Sequence, residues 1–163
     1  MRFYTKQESE EWLKGRERQL PDEGPASFHT ANFPDKAYGF YYSARWIATS
    51  LTFRDPALLL ITEWGIWPSS ENWHLYYKLR HSNGDFRLLD EAPGHLFLGH
   101  ETEDLATYLQ VAMLNGWGGY VLTGANYVNL FFSHDEYINF YANKDDNLAL
   151  VREQFKDDRV EPE

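Results

Sequence analysis

Apolar and polar positions change period several times along this 163-residue chain, and each change marks an element. Thr5 followed by Glu8 has the spacing of a capping box, and Trp12 and Leu13 set among charges predict a surface helix over 6–18. Residues 19–37, QLPDEGPASFHTANFPDKA, carry too many Pro, Gly and polar positions for either regular period and predict a long loop. From Tyr38 to Thr52 apolar residues occupy more than one helical face, which predicts a broadly buried helix with Arg45 as its notable charge. ALLLIT, residues 57–62, is an unbroken apolar run of strand length between Pro56 and Glu63. Its lack of alternation predicts a central strand buried on both faces.

The stretch WGIWPSSENWHLYYKLR, residues 64–80, follows at the carboxyl end of that strand, where open α/β sheets place their ligand crevices. Trp64 to Pro68 fit neither period and predict a loop. Ser69 or Ser70 is suited to cap a helix running to about Ser82, with Glu71 in its first turn and Asn83-Gly84 as its stop. On that helix Trp73, Tyr76, Tyr77 and Arg80 are neighbours at three- and four-residue spacing, and Leu75 and Leu79 share a second stripe.

GHLFLG, residues 94–99, predicts another strand, and Glu101 to Asn115 predicts an amphipathic helix capped by Thr102, striped by Leu105, Leu109 and Ala112, and stopped by Gly116. Residues 120–122 and 127–132 predict two strands joined through the turn-forming TGAN. Ser133 with Glu136 repeats the capping-box spacing and predicts a short helix through Tyr141. A last helix is predicted over 146–155, before a frayed charged tail at 157–163. The resulting order, α-α-β-α-β-α-β-β-α-α, places the chain in the α/β or α+β class. It predicts a single domain over 1–163, with a mixed sheet of about four strands, a C-terminal β-hairpin and right-handed parallel crossovers.

Composition alters this picture in three ways. Aromatic residues reach 17%, with 6 Trp, 11 Tyr and 11 Phe, so rings dominate either the core or a contact surface. The chain has no Cys, which excludes disulfides, thiolate nucleophiles and cysteine-type zinc sites. A formal net charge of −10 opposes binding to nucleic acid or anionic lipid and favours a basic or neutral partner. No long apolar run or secretory leader is visible in the sequence, and the expectation is a cytoplasmic protein without a membrane span.

The charge is also uneven: from Leu88 to Asn143 there is no Lys or Arg. Asp90, Glu91, Glu101, Glu103 and Asp104 lie in that stretch and form a candidate acidic binding face, with Asp135 and Glu136 further on. A second candidate is the aromatic and carboxylate stretch Glu63, Trp64, Trp67, Glu71 and Trp73, whose two glutamates also invite a comparison with glycosidase carboxylates. A third arrangement needs His100, His134 and Asp135 to converge from two predicted helix entrances, as a metal or acid–base site. No metal or other cofactor is otherwise expected. No nucleophile elbow, Walker lysine or H-E-x-x-H is present, and GWGGYVLTG precedes a strand where a phosphate loop would open a helix.

These features predict a non-enzymatic acidic protein that binds a basic protein partner, in the manner of an inhibitor or immunity-type protein. That likeness is one of composition, without a motif. The alternative is a small-molecule binding or hydrolytic domain with its pocket at residues 63–73, and the exposed rings would also suit a homodimer.

Overall fold

A computed structural model describes residues 1–14, 27–52, 55–65, 70–124 and 128–156. Its strands are β1 (Arg2–Tyr4), β2 (Ser27–Asn32), β3 (Ala57–Glu63), β4 (Gly94–Phe97), β5 (Gly118–Thr123), β6 (Asn129–Phe132) and β7 (Tyr137–Ala142). The helices are α1 (Lys6–Leu13), α2 (Ala37–Trp46), α3 (Ser70–Ser82), α4 (Thr102–Leu114) and α5 (Ala149–Gln154). A π-helical turn at Ile47–Leu51 extends α2, and a 3₁₀ turn at Asp145–Leu148 leads into α5. No helix among the described residues is long and apolar enough to cross a membrane.

The fold is α+β. All seven strands join one sheet in the order β1-β4-β3-β5-β6-β7-β2, and every neighbouring pair is antiparallel. This differs from the predicted mixed sheet of four strands in number and direction. Residues 64–93, including α3, were expected to cross over so that β4 would run parallel to β3. They instead return the chain to the edge it left, so β4 runs back alongside β3.

Three strands lie outside the sequence reading. β1 is only three residues long and pairs at one edge with β4. β2 falls inside the expected loop, at the other edge against β7. The segment expected as a helix from Ser133 to Tyr141 is a tight turn followed by β7. There the Ser133 Oγ accepts from the Asp135 N–H at 3.1 Å, the Ser133 N–H donates to the Tyr137 carbonyl at 2.8 Å, and Glu136 adopts φ +69°. The serine binds a nearby backbone amide at a turn as readily as at a helix start, so S-x-x-E alone does not separate the two. Period two decides the matter, because Ile138, Phe140 and Ala142 are buried and alternate with the half-buried Tyr137, Asn139 and Tyr141. The helical part of the predicted 6–18 segment ends at Leu13. Residues 15–26, 53–54, 66–69, 125–127 and 157–163 lie outside the described residues, and with them parts of the predicted first helix, long loop, TGAN turn and tail.

The core sits mainly on one face of the sheet. Leu59, Ile61, Phe97, Val121, Leu130, Phe132, Ile138 and Phe140 pack there beneath buried helix residues such as Ile47, Leu105, Leu109 and Val151. Leu58, Leu96 and Leu122 form a smaller cluster on the other face, with Trp12 and Leu13 of α1 against it. Ala57, Leu58, Leu59 and Ile61 of the ALLLIT run are thus buried on the two faces, as continuous hydrophobicity predicts, while Leu60 is half-buried and Thr62 is exposed.

Candidate functional site

Antiparallel pairing decides which loops share an edge. The carboxyl ends of β3 and β6 and the amino ends of β4, β5 and β7 lie together along one edge of the sheet. Glu63 ends β3 there, and the turn Ser133-His134-Asp135-Glu136 joins β6 to β7. Between them, in β5, stands Gly118, paired with Glu63 across a register shift. With no Cβ at Gly118, the two side chains reach over β5, and His134 Nδ1 comes 2.7 Å from Glu63 Oε2. A Cβ on Gly118 would overlap that carboxylate, lying 3.0 Å from Glu63 Cδ and 3.1 Å from its Cβ.

The distance is that of a charge-assisted hydrogen bond, with Nδ1–H as donor and the carboxylate as acceptor. The network thereby assigns the tautomer and leaves Nε2 as the atom that gains or loses a proton. Asp135 Oδ1 lies 3.5 Å from Nε2. The hydrogen bond to Glu63 raises the His134 pKa above the ordinary histidine value; burial opposes it, and the nearby Asp135 charge adds to the rise. Glu63 is 34% exposed and His134 24%, so the pair is held in place and still reachable.

The aromatic stretch divides between core and surface. Tyr76 is buried, and its ring meets that of the buried Trp117 at 4.9 Å. Trp64 and Trp73 are half-buried at the core margin, and Trp73 tilts against Trp117 at 5.5 Å. Outward along α3 runs a series of neighbouring rings: Trp73 stacks on Tyr77 at 6.0 Å, Tyr77 adjoins His81 at 6.4 Å, and His81 stacks on Phe86 at 4.8 Å. Trp67 lies outside the described residues, and Glu71 is placed on α3 by its backbone alone.

The inner side of α3 carries a polar network that the sequence reading missed. Arg80 is fully buried and donates from Nη2 to Asp85 Oδ2 at 2.9 Å and from Nη1 to the Ala92 carbonyl at 3.0 Å. Arg87 donates from Nε to the other Asp85 oxygen at 3.0 Å and from Nη2 to the Phe3 carbonyl at 2.9 Å. Burial opposes the Asp85 charge, but hydrogen bonds from Arg87 and Arg80 hold its pKa down at about 2. His95 Nδ1–H donates to the Leu59 carbonyl at 3.3 Å, and its Nε2 accepts from the Tyr76 hydroxyl. Burial, with the Arg80 charge adding to it, pushes the His95 pKa down to about 3, so this imidazole is neutral. The network joins α3, β1, β4 and residues 83–92 from within.

The predicted acidic face is divided. Asp90 and Glu91 precede β4 at the Glu63 edge, where Glu91 Oε2 accepts from the Leu88 N–H at 2.7 Å. Glu101, Glu103 and Asp104 follow β4, at the opposite edge. There Glu101 accepts from the Leu98 N–H at 2.8 Å and pairs with the Met1 amino group, while Glu103 pairs with Arg45 at 3.2 Å. His100 lies at that edge too, so strand direction separates it from His134. Among the described residues no group of three or more His, Cys, Asp or Glu side chains converges on a metal-sized site. No protein-family model, curated protein or solved structure matches this chain, so the reading of the Glu63–His134 edge rests on its own geometry.

Proposed function

We propose that this chain is a small-molecule binding domain that performs proton transfer at the Glu63–His134 pair. The observation supporting this reading is the 2.7 Å Nδ1–Oε2 contact made over Gly118 by side chains 71 positions apart. Glu63 orients the imidazole and favours its charged form. His134 Nε2 is then the atom that takes a proton from a bound hydroxyl or water and returns it to a leaving group, as in hydrolysis. Asp135 stabilises the imidazolium from 3.5 Å, and the half-buried Trp64 and Trp73 supply aromatic surface near the end of β3.

Tryptophan fluorescence titrated with a small-molecule library, alongside chromogenic esters, phosphodiesters and glycosides, tests the reading. The expected result is a ligand or substrate whose binding or turnover is lost in His134→Ala and reduced in Glu63→Gln. A flat response across both panels, or turnover that survives in His134→Ala, refutes it.

A second reading, a non-enzymatic protein that engages a basic partner, is favoured by a separate observation. Phe86 and Leu88 stand 74% and 56% exposed in the segment that also carries the exposed Asp90 and Glu91.

A further inference from the structure

Residues 83–92 combine an anchored interior with exposed apolar side chains. Their interior side is fixed: Asp85 is bound by Arg80 and Arg87, the Leu89 N–H donates to the Tyr77 hydroxyl at 2.9 Å, and Glu91 holds the Leu88 amide. Their exterior side holds two large apolar side chains, Phe86 and Leu88, in solvent among the exposed Arg87, Asp90 and Glu91. A large ring exposed on a rigidly anchored segment marks a contact surface, because its ordering cost is met before any partner arrives.

Phe86 continues the ring series of α3 through its stack on His81, so the surface is a track of rings from Trp73 to Phe86. The charge around it is negative. Arg80 and Arg87 are committed to Asp85, and Glu8 and Glu91 also lie close enough to act on Arg87. With Asp90 added, the four carboxylates Glu8, Asp85, Asp90 and Glu91 outnumber the three cations Lys78, Arg80 and Arg87 of this region. Aromatic faces flanked by carboxylates suit ammonium and guanidinium groups, which gain both cation–π contact and charge complementarity.

We infer that the solvent-reaching margin of α3 at Tyr77 and His81, together with residues 83–92, is the docking surface for an extended Lys- or Arg-bearing segment of a partner protein. This rests on the basic-partner reading and narrows it to one surface, excluding the Glu101–Asp104 edge. A fluorescein-labelled Arg-Gly repeat peptide is the probe, with a Glu-Gly repeat as the control, followed by anisotropy and by amide chemical-shift mapping of the full chain. Phe86→Leu keeps the apolar volume and removes the ring, and should weaken Arg-Gly binding about twofold to thirtyfold, the range of one cation–π contact. Asp90→Lys should weaken it as well, added salt should reduce it, and shifts should map to α3 and residues 83–92. All these side chains are exposed, so thermal unfolding should be unchanged in the variants. Binding lost instead in Glu103→Lys would leave the basic-partner reading standing and overturn this surface. No binding, or equal binding of the Glu-Gly peptide, would overturn both. A dimer that Phe86→Leu dissolves would assign the face to a second copy and overturn the inference.

Discussion

Gly118 and Gly119 are adjacent in sequence, and the same substitution should have different consequences at each. A Cβ at Gly118 overlaps the end of the Glu63 side chain, with its Cδ at 3.0 Å and Cβ at 3.1 Å. Glu63 is one-third exposed, and its carboxylate can swing away at the cost of its bond to His134. The lost bond costs about 0.5–1.5 kcal/mol. Replacing a strand glycine by alanine returns roughly 0.5–1 kcal/mol in chain entropy. Gly118→Ala should therefore leave stability within about 1 kcal/mol while the His134 pKa falls back toward its ordinary value. At Gly119 the added Cβ overlaps the Leu60 carbonyl and comes 3.0 Å from Ile61 Cα and 3.1 Å from Phe132 Cζ. Backbone of a central strand cannot give way as a side chain does, and Gly119→Ala should cost about 2–3 kcal/mol. NMR titration of the histidine ring protons, with urea unfolding of both variants, measures the two effects separately. The reasoning is refuted if Gly118→Ala leaves the His134 titration unchanged, or if it destabilises the chain as much as Gly119→Ala.

Two further outcomes follow from the interior network. Arg80→Ala leaves the buried Asp85 with Arg87 alone and should cost about 3 kcal/mol in urea unfolding, at the lower end for a broken buried pair; a loss below about 1 kcal/mol would mean Arg87 suffices. Acid should weaken the fold in a defined window, because unfolded His95 takes up a proton near pH 6.5 and the folded residue resists until about pH 3. Stability is fully present above 6.5 and falls by up to about 1.4 kcal/mol per pH unit below it, with Asp85 adding a loss between about 4 and 2. His134 contributes with the opposite sign, since its raised pKa favours the fold at low pH and that contribution fades as pH rises. Unfolding curves from pH 7 to pH 3 that do not change, or that change equally in His95→Gln, would refute the assignment to His95.

Local pattern carried the elements whose burial has a simple period. β3 was legible because both its faces are covered, and α4 because one stripe faces the core while Glu103 and Asp104 occupy its first turn. β7 was misread because S-x-x-E satisfies a turn as well as a helix start. β2 was hidden because its neighbours are Pro, Gly and polar residues, and its edge position puts little demand on its outer face. Glu63, Trp64, His134 and Asp135 were each singled out by residue type and loop position, but under two separate hypotheses. Their joining depended on strand direction, which no local pattern encodes. The same is true of Arg80, visible as a helix neighbour of Tyr76 although its partner Asp85 lies beyond the helix stop.

The sequence by itself determined the soft limits of the chemistry: ring-rich packing, a chain without thiols, a strong negative charge and the central apolar strand. These depend on side-chain identity and on spacings of a few residues, which act wherever the chain goes. Only the tertiary structure decided that the sheet is antiparallel throughout, and hence that Glu63 meets His134 over Gly118 while His100 and the Glu101–Asp104 acids stand at the far edge. Strand direction follows from how the connections close and how helices cover one face, a global balance of burial against loop entropy that no short window of residues contains.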